Sequence, residues 1–236
     1  MERVPVESAD STARLTLFVA GRVFVIEAPI QLIETMRVEP GHHLPLLAWH
    51  LQRLQQSCQV LGYVWPGEIL SAGINEHVAR LDIRVTHRLR LLLDTDGGYS
   101  LQSSKLSIIP QPLRIHLNHS PLQADPFWLQ HKTTHRPWYA DAQHLLDQAP
   151  DVFDIVFCNA LGEICEGSRS NVYVQNAGHV WLTPPAACGL LPGVQRQALL
   201  DGGLAREARI TCDDLQTARA IRISNALRGW VDAVLA

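Results

Sequence analysis

The chain has 236 residues, 47% of them hydrophobic and 18% charged, a composition typical of a soluble globular protein with a substantial core. Its 20 basic and 23 acidic residues give a formal net charge of −3, which provides no electrostatic basis for binding nucleic acid or an anionic membrane. No apolar run approaches the roughly 20 residues of a membrane span, and residues 1–15 lack the apolar core of a secretory signal, so we expect a soluble, cytoplasmic protein.

Predicted strands and helices alternate in the first half of the chain. "LTLFVAGRVFVI" predicts two strands joined by a tight turn at Gly21-Arg22. Residues 44–63 carry apolar side chains at positions 46, 47, 51, 54, 58 and 61, the spacing of a helix with one buried face, and Gly62 suits its C-terminal end. A second helix is predicted over 67–81, and "HRLRLLLDTDGGYSLQ" predicts a hairpin.

A change of composition in residues 108–127 predicts a domain boundary. This segment contains four prolines and little hydrophobic periodicity. The predicted organisation is an N-terminal α/β subdomain over 1–117, a linker over 118–126 and a C-terminal subdomain over 127–236.

The second half is predicted to resemble the first in its mixture of elements. Pro137 is tolerated in the first turn of a helix in "RPWYADAQHLLDQA". The other predicted elements are hairpins in "FDIVFCNALGEICEG" and "NVYVQNAGHVWLTPP", a short helix in "GVQRQALLDGG" and a strand in "AIRISNALRGW".

Neither the cysteines nor the histidines form a convincing metal or disulfide pattern. The five cysteines are odd in number and never spaced C-x-x-C, which favours reduced thiols; Cys158 and Cys165, on two arms of a predicted hairpin, are expected to be small buried hydrophobic side chains. No acidic residue joins the histidine pairs at ligand spacing, so no metal site is predicted. Those pairs are His42 with His43, His116 with His119, and His131 with His135.

Lysine is almost absent from the chain, which has only Lys105 and Lys132 against 18 arginines. A solvated surface position is the ordinary interpretation of a single lysine. Arginine cannot replace lysine, however, where the chemistry needs an amine that loses its proton. A lysine that is buried or close to other cations can form a Schiff base with an aldehyde, so Lys132 is a candidate for such a role.

An aldehyde cofactor with a phosphate and a basic ring needs partners for both groups. Glu166 lies in a strand-like stretch among small residues, where an ionised carboxylate requires a cationic partner. Gly193 precedes a predicted helix, whose first N–H groups attract anions. Arg53 lies beside the apolar stripe of the first long helix, where it is either a phosphate ligand or a surface residue.

Five segments of the sequence carry a family resemblance through their order. They are "IETMRV…WHLQRLQQSCQVLGY", "HKTTHRPWYADA", "GEICEGSRSNVYV", "LTPPAACGLLPGVQRQALL" and "RISNALRGW". Together they resemble the fold-type IV enzymes that use pyridoxal 5'-phosphate (PLP), also called class IV aminotransferases. Within them the chain is most similar to aminodeoxychorismate lyase, especially the lyase domain fused to aminodeoxychorismate synthase. It departs from many members at "FVIEAPIQLIETMRV", which replaces a longer N-terminal segment.

The resemblance implies roles for three of the residues already singled out. Lys132 matches the lysine that carries PLP and later transfers protons. Glu166 matches the glutamate that pairs with the pyridine nitrogen. Arg53 matches the arginine of an H-x-x-R-L block that holds the phosphate.

Further cofactor contacts are implied around the phosphate and the ring. The backbone of Val194 and Gln195 matches the family's phosphate cup, which Asn225 and Ala226 close from the last strand. Tyr139 takes the place of a tyrosine that contacts the ring hydroxyl in the transaminases, although its spacing from the lysine differs from theirs.

Substrate contacts are implied by the blocks around the lysine and by the shortened N-terminal segment. Arg136 matches an arginine common in the lyases. Thr35 and Arg37 are the candidates on the substrate-facing wall.

The resemblance also implies an architecture and an activity. The expected fold is α+β, with two α/β subdomains, the cofactor in the cleft between them and a homodimeric assembly. The expected reaction is the release of pyruvate and 4-aminobenzoate, a folate precursor, from the small molecule 4-amino-4-deoxychorismate. Two alternatives remain: a transaminase for a small amino acid or amine, and a catalytically idle partner or binding module.

Overall fold

The structure is a computed structural model that describes residues 15–19, 22–26 and 29–236. Its strands are β1 (Leu15–Val19), β2 (Arg22–Ile26), β3 (Leu32–Val38), β4 (His87–Leu93), β5 (Tyr99–Lys105), β6 (Leu113–Asn118), β7 (Asp154–Cys158), β8 (Ile164–Gly167), β9 (Asn171–Gln175), β10 (Trp181–Thr183), β11 (Arg206–Glu207), β12 (Ile221–Asn225) and β13 (Gly229–Leu235). Its helices are α1 (Leu47–Leu61), α2 (Gly67–Ala79), α3 (Pro126–Leu129), α4 (Ala140–Gln148), α5 (Val194–Asp201) and α6 (Cys212–Gln216).

The first half contains two small antiparallel units, as the sequence predicts. β1 and β2 pair as the predicted hairpin, while Gly21 of the predicted turn lies outside the described residues. β3, β4 and β5 form a three-stranded antiparallel sheet. The β4–β5 turn closes where Asp94 N–H donates to Gly98 O (2.7 Å). The DTDGG segment therefore makes the hairpin turn that its glycines and aspartates favour.

α1 covers one face of this sheet with its predicted apolar stripe. Leu54, Cys58 and Leu61 are buried against β3 and β4 residues. The helix ends at Gly62, whose φ of 74° is the left-handed conformation that glycine adopts without steric cost. α2 follows over Gly67–Ala79, slightly shorter than the predicted helix.

Eight strands form a larger sheet, in the order β11-β10-β9-β12-β13-β6-β7-β8. Its two predicted hairpins, β7–β8 and β9–β10, are antiparallel. α4 and α5 form where the sequence predicts them. β13, which the sequence analysis does not predict as a separate strand, returns antiparallel to β12.

β6 corrects the interpretation of residues 108–127 as aperiodic. The prolines there flank a six-residue stretch, LRIHLN, whose side chains alternate between buried and accessible as in a half-buried strand. β6 pairs in parallel with β7 and β13. Residues 113–117, assigned from sequence to the N-terminal subdomain, thus belong to the larger sheet; the division into subdomains itself stays a prediction.

A short segment around Lys132 joins the two parts of the chain. Thr133 forms an isolated bridge with Leu32 of β3, and Ile33 N–H donates to Lys132 O (2.8 Å). These bonds fix the lysine against the strand that carries Glu34 and Thr35. Within the described ranges, no helix combines the length and apolarity that crossing a membrane requires.

Candidate active site

A cavity of about 590 Å³ opens between the three-stranded and the eight-stranded sheet. Most of the residues singled out from the sequence line it. β3, β8, β12 and the start of α5 each contribute to its wall. The lining residues predicted from sequence are Thr35, Arg53, Lys132, Arg136, Tyr139, Glu166, Val194, Asn225 and Ala226. Residues as far apart along the chain as Thr35 and Arg228 therefore meet in one place.

Lys132 is held in the cavity as an amine that loses its proton readily. Burial lowers the pKa of its ammonium to about 7, and the positive charges of Arg136 and Arg53 act in the same direction. Glu34 and Glu166 oppose this shift without cancelling it. Near neutral pH a substantial fraction of Lys132 is therefore uncharged and nucleophilic. Lys132 is therefore not the solvated surface lysine that the sequence left as the ordinary interpretation.

Glu166 faces the cavity from β8 and is only 4% exposed. Burial raises the pKa of its carboxyl group to about 7, although donors on Leu191 and Tyr139 oppose the shift. Leu191 N–H donates to Oε1 (2.9 Å), and Tyr139 O–H donates to the same atom (2.8 Å). Neither bond uses Oε2, so this carboxylate retains an oxygen for a cationic partner.

Tyr139 lines the cavity and contacts Glu166. The tight turn at residues 137–139 brings its hydroxyl to Glu166, and burial raises the pKa of the phenol well above its usual value, which keeps it a donor. Arg136 stacks over the tyrosine ring, 4.6 Å from its centroid. Tyr139 thus supports the carboxylate, and its contact with a ring hydroxyl stays a prediction.

Arg53 projects from α1 into the cavity but is anchored by a residue that the sequence analysis did not single out. Nε and Nη2 donate to the two carboxylate oxygens of Glu34 (2.9 and 2.6 Å), and His50 Nδ1 lies 2.5 Å from Glu34 Oε2. Nη1 donates to Pro192 O (3.3 Å), close to the start of α5. Glu34 therefore fixes the guanidinium group beside the helix terminus.

The start of α5 is open to an anion. No side chain caps the helix, and Gly193 and Val194 line the cavity. The backbone at Gly193 is packed so closely on Asn171 Oδ1 that a Cβ there would overlap it. Gln195 follows in the first turn without lining the cavity. A phosphate group would find free N–H donors here, next to Arg53.

The end of β12 closes this end of the cavity. Asn225 Oδ1 accepts from Leu227 N–H and Arg228 N–H, and its Nδ2 donates to Arg169 O (3.1 Å). Ala226, next in the chain, also lines the wall.

Of the three substrate candidates, two line the cavity and one does not. Thr35 and Arg136 face it. Arg37 forms an ion pair with Glu39 (2.7 Å), donates to Leu227 O and lines a separate, smaller cavity. Thr35 and Arg37 lie two positions apart on β3 and so share one face of the strand. The contacts with Glu39 and Leu227 hold the Arg37 side chain at the smaller cavity.

The sequence analysis missed four arginines that line the cavity: Arg88, Arg90, Arg169 and Arg228. The alternation in "HRLRLLL" is a signal for the first two, because it places Arg88 and Arg90 on the face opposite the buried leucines. With Arg53, Lys132 and Arg136 they make seven basic side chains, against the single carboxylate of Glu166 on this wall.

These features fit an aldehyde cofactor that carries a phosphate and a basic ring nitrogen. Lys132 supplies a reactive amine, the start of α5 with Arg53 supplies anion donors, and Glu166 supplies a carboxylate oxygen for the nitrogen. Among the described residues, no three histidine, cysteine, aspartate or glutamate side chains are grouped as metal ligands.

Comparison with known proteins places these features in a family. A family model described as "Amino-transferase class IV" matches residues 31–235. The "Putative aminodeoxychorismate lyase" of Schizosaccharomyces pombe is 29% identical over 198 residues, which cover 80% of this chain and 84% of that protein.

Solved structures share the fold. A "Putative amino-acid aminotransferase" from Mesorhizobium loti is 33% identical, with a TM-score of 0.80 over 88% of this chain and 100% of that chain. A "hypothetical aminotransferase" from Mycobacterium tuberculosis, solved in a PLP-bound form, has a TM-score of 0.69 at 22% identity over 87% of this chain and 81% of that chain.

The family match covers most of the chain, and the structural likeness confirms the predicted α+β, fold-type IV class. The chain belongs to the class IV aminotransferases, enzymes that depend on PLP.

Proposed function

We propose that this enzyme is a 4-amino-4-deoxychorismate lyase that releases pyruvate and 4-aminobenzoate. The observation that carries the proposal is the charge of the cavity, where seven basic side chains face one carboxylate. The phosphate of PLP needs only some of them. The surplus suits a substrate with two carboxylates of its own, as 4-amino-4-deoxychorismate has, because buried guanidinium groups bind carboxylates strongly.

Two residues hold the cofactor's reactive parts in this proposal. PLP, when bound, supplies an aldehyde that captures the substrate amine and a ring that accepts electrons from the substrate. Lys132 would hold the aldehyde carbon, and the Glu166 carboxylate would accept a hydrogen bond from the protonated ring nitrogen. Arg53 and the first N–H groups of α5 would hold the phosphate.

Lys132 also has the proton chemistry that the reaction requires. Elimination removes one proton from the substrate ring, breaks the carbon–oxygen bond to the enolpyruvyl group and adds one proton to the enol carbon. With a pKa of about 7, Lys132 is able both to accept and to return a proton at neutral pH. No oxidant, reductant or second substrate is needed for this balance.

The test is product release from 4-amino-4-deoxychorismate in the absence of any 2-oxo acid. We expect pyruvate, measured with a coupled dehydrogenase, and 4-aminobenzoate, measured by its fluorescence, to appear in equal amounts. The Lys132→Ala variant is the control for spontaneous breakdown. A wild-type enzyme that releases neither product above that control contradicts the proposal.

A transaminase for a small amino acid or amine is the second candidate. It is favoured by the likeness to the "Putative amino-acid aminotransferase" of Mesorhizobium loti over 88% of this chain. The same residues would serve, but the amino group would remain on the cofactor. Absorbance of the PLP-loaded enzyme mixed with single amino acids distinguishes the two, since only a transaminase converts its cofactor to the aminated form without an acceptor.

We also infer that the enzyme acts as a homodimer in the cytoplasm and contributes to folate synthesis. Light scattering on the PLP-loaded protein tests the assembly, because a dimer doubles the chain mass of 26.3 kDa. A mass of a single chain contradicts that part of the proposal and leaves the reaction untouched.

A further inference from the structure

Asp154, at the start of β7, is a fully buried carboxylate that no part of the proposed reaction uses. It does not line the cavity. Each of its oxygens accepts two hydrogen bonds: Oδ1 from Ser168 O–H (2.7 Å) and Ile155 N–H (2.9 Å), and Oδ2 from Ser170 O–H (2.5 Å) and Arg169 N–H (3.3 Å). Three of the four donors belong to the β8–β9 turn (residues 167–171).

This carboxylate is costly to bury. Burial raises the pKa of Asp154, while hydrogen bonds from Ser170 and Ser168 and the charge of Arg169 oppose that shift. The packing leaves no spare room, since a Cβ on Gly167 would overlap Asp154 Oδ2. A buried carboxylate without a full ion pair is stabilised here by donors from one turn, so the carboxylate and the turn hold each other in place.

The β8–β9 turn also forms hydrogen bonds with three segments that build the active site. Ser168 O accepts from Arg136 Nη2 (2.7 Å), and Arg169 O accepts from Asn225 Nδ2 (3.1 Å). Asn171 Nδ2 donates to Leu191 O (3.0 Å), and Leu191 N–H donates to Glu166 Oε1. The β8–β9 turn is therefore hydrogen-bonded to Arg136, to the end of β12 and to the segment that leads into α5.

We propose that Asp154 is a positioning residue for the cofactor site, which it orders through the β8–β9 turn. This inference rests on the proposed PLP site. Its action on Lys132 is indirect: the turn fixes Arg136, and the charge of Arg136 helps to hold Lys132 in its unprotonated form.

Asp154→Asn is the informative variant because it keeps the shape and exchanges one acceptor for a donor. The serine hydroxyls can rotate to accept from the new amide, but the N–H groups of Ile155 and Arg169 cannot. Whichever way the amide is oriented, one buried backbone donor loses its acceptor. The weaker bond is that of Arg169 N–H, so we expect the turn to loosen there.

The experiment compares PLP binding by the wild type, Asp154→Asn and Thr183→Val. Thr183 is buried in β10 of the same sheet and donates to Val172 O (2.9 Å), one residue beyond the turn. Its variant also loses a buried hydrogen bond, but one that does not involve Asp154 or its donors. We expect Asp154→Asn to bind PLP about tenfold more weakly and its pH midpoint of PLP attachment to become more alkaline, while Thr183→Val changes neither.

Equal PLP affinity and an equal midpoint in Asp154→Asn and the wild type overturn the inference, as does an equal change in Thr183→Val. If Asp154→Asn does not fold, the double variant Ser168→Ala/Ser170→Ala removes two of the donors and is expected to weaken PLP binding in the same way. Amide hydrogen exchange at residues 167–171 without PLP tests the positioning separately. Faster exchange in Asp154→Asn, without faster exchange in Thr183→Val, supports the positioning role. A wild type that does not attach PLP would overturn the proposed function and leave that exchange result standing.

Discussion

The two buried glutamates on opposite sides of the cavity differ sharply in their acidity. Glu34 on β3 is 2% exposed and Glu166 on β8 is 4% exposed. Burial raises both pKa values, but Arg53 and His50 outweigh it at Glu34 and lower its pKa to about 2. Glu166 receives its hydrogen bonds from a backbone N–H and a phenol, and its pKa rises to about 7.

Both carboxylates are buried, so the charge of their hydrogen-bond donors decides the difference in pKa. Glu34 stays ionised near neutral pH, whereas Glu166 changes its protonation there. The Glu34 side is a closed ion-pair cluster that orients Arg53. The Glu166 side is an acceptor held by neutral donors, ready for a cation. Lys132 lies under the influence of both.

The largest expected effect concerns the amine between the two sides. Lys132→Ala should abolish covalent attachment of PLP, because no other described amine lines the cavity. Absorbance of the attached cofactor and mass spectrometry after borohydride reduction measure this. Lys105→Ala is the matched control, since Lys105 is exposed at the end of β5, and it should retain full labelling. Labelling of the Lys132→Ala protein at Lys105 would contradict the assignment.

The next effect tests the closed side of the comparison. Glu34→Ala should lower the free energy of unfolding by about 3–5 kcal/mol, because it leaves a buried guanidinium group without its partner. Urea unfolding of the protein without PLP measures the loss. Glu76→Ala is the control: its pair with Arg80 is exposed on both sides and should be worth less than about 1 kcal/mol. Similar losses in the two variants would show that the Glu34 cluster is not structural.

A substitution of the glutamate on the open side, Glu166, should affect activity rather than stability. Glu166→Gln keeps an oxygen for Tyr139 and Leu191, so we expect a small change in the free energy of unfolding. The loss of the negative charge should lower product release about 100-fold. Pyruvate release and urea unfolding, measured on one preparation, separate the two effects. An activity within threefold of the wild type would remove Glu166 from the site.

The smallest effect is a pH dependence in which the two sides act together. The lowered pKa of Lys132 and the raised pKa of Glu166 both lie at about 7, so the amine becomes neutral and the carboxylate ionised as the pH rises through that value. PLP attachment should therefore accelerate from pH 6 to pH 8 and level off above. Stopped-flow absorbance measures the rate.

Removing one neighbouring charge sharpens this prediction. Arg136→Gln should move the midpoint to higher pH, because Arg136 is among the charges that lower the pKa of Lys132. Arg84→Gln, a change at an exposed arginine that pairs with Asp82, should leave the midpoint in place. A midpoint near the usual pKa of a lysine in the wild type would contradict the electrostatic account of the site.

The sequence by itself determined many of the local elements and indicated Lys132 as the candidate reactive amine. The stripe of α1, its end at Gly62 and the β4–β5 hairpin depend on spacings of a few residues, which are visible in any short window. The scarcity of lysine, with the order of five segments, indicated Lys132 and Glu166 before any contact was known. The alternation of β6 was equally local but was hidden among prolines.

Only the tertiary structure decided what surrounds those residues. Glu34 gives no sign in the sequence that it will meet Arg53 and His50, and Asp154 gives none that it will hold the turn after Glu166. Such contacts join residues on different strands and helices, and they depend on how the three-stranded and the eight-stranded sheet pack. Because the pKa of a buried group is set by those neighbours, the protonation of Lys132 and Glu166 is a property of the fold and not of the motif.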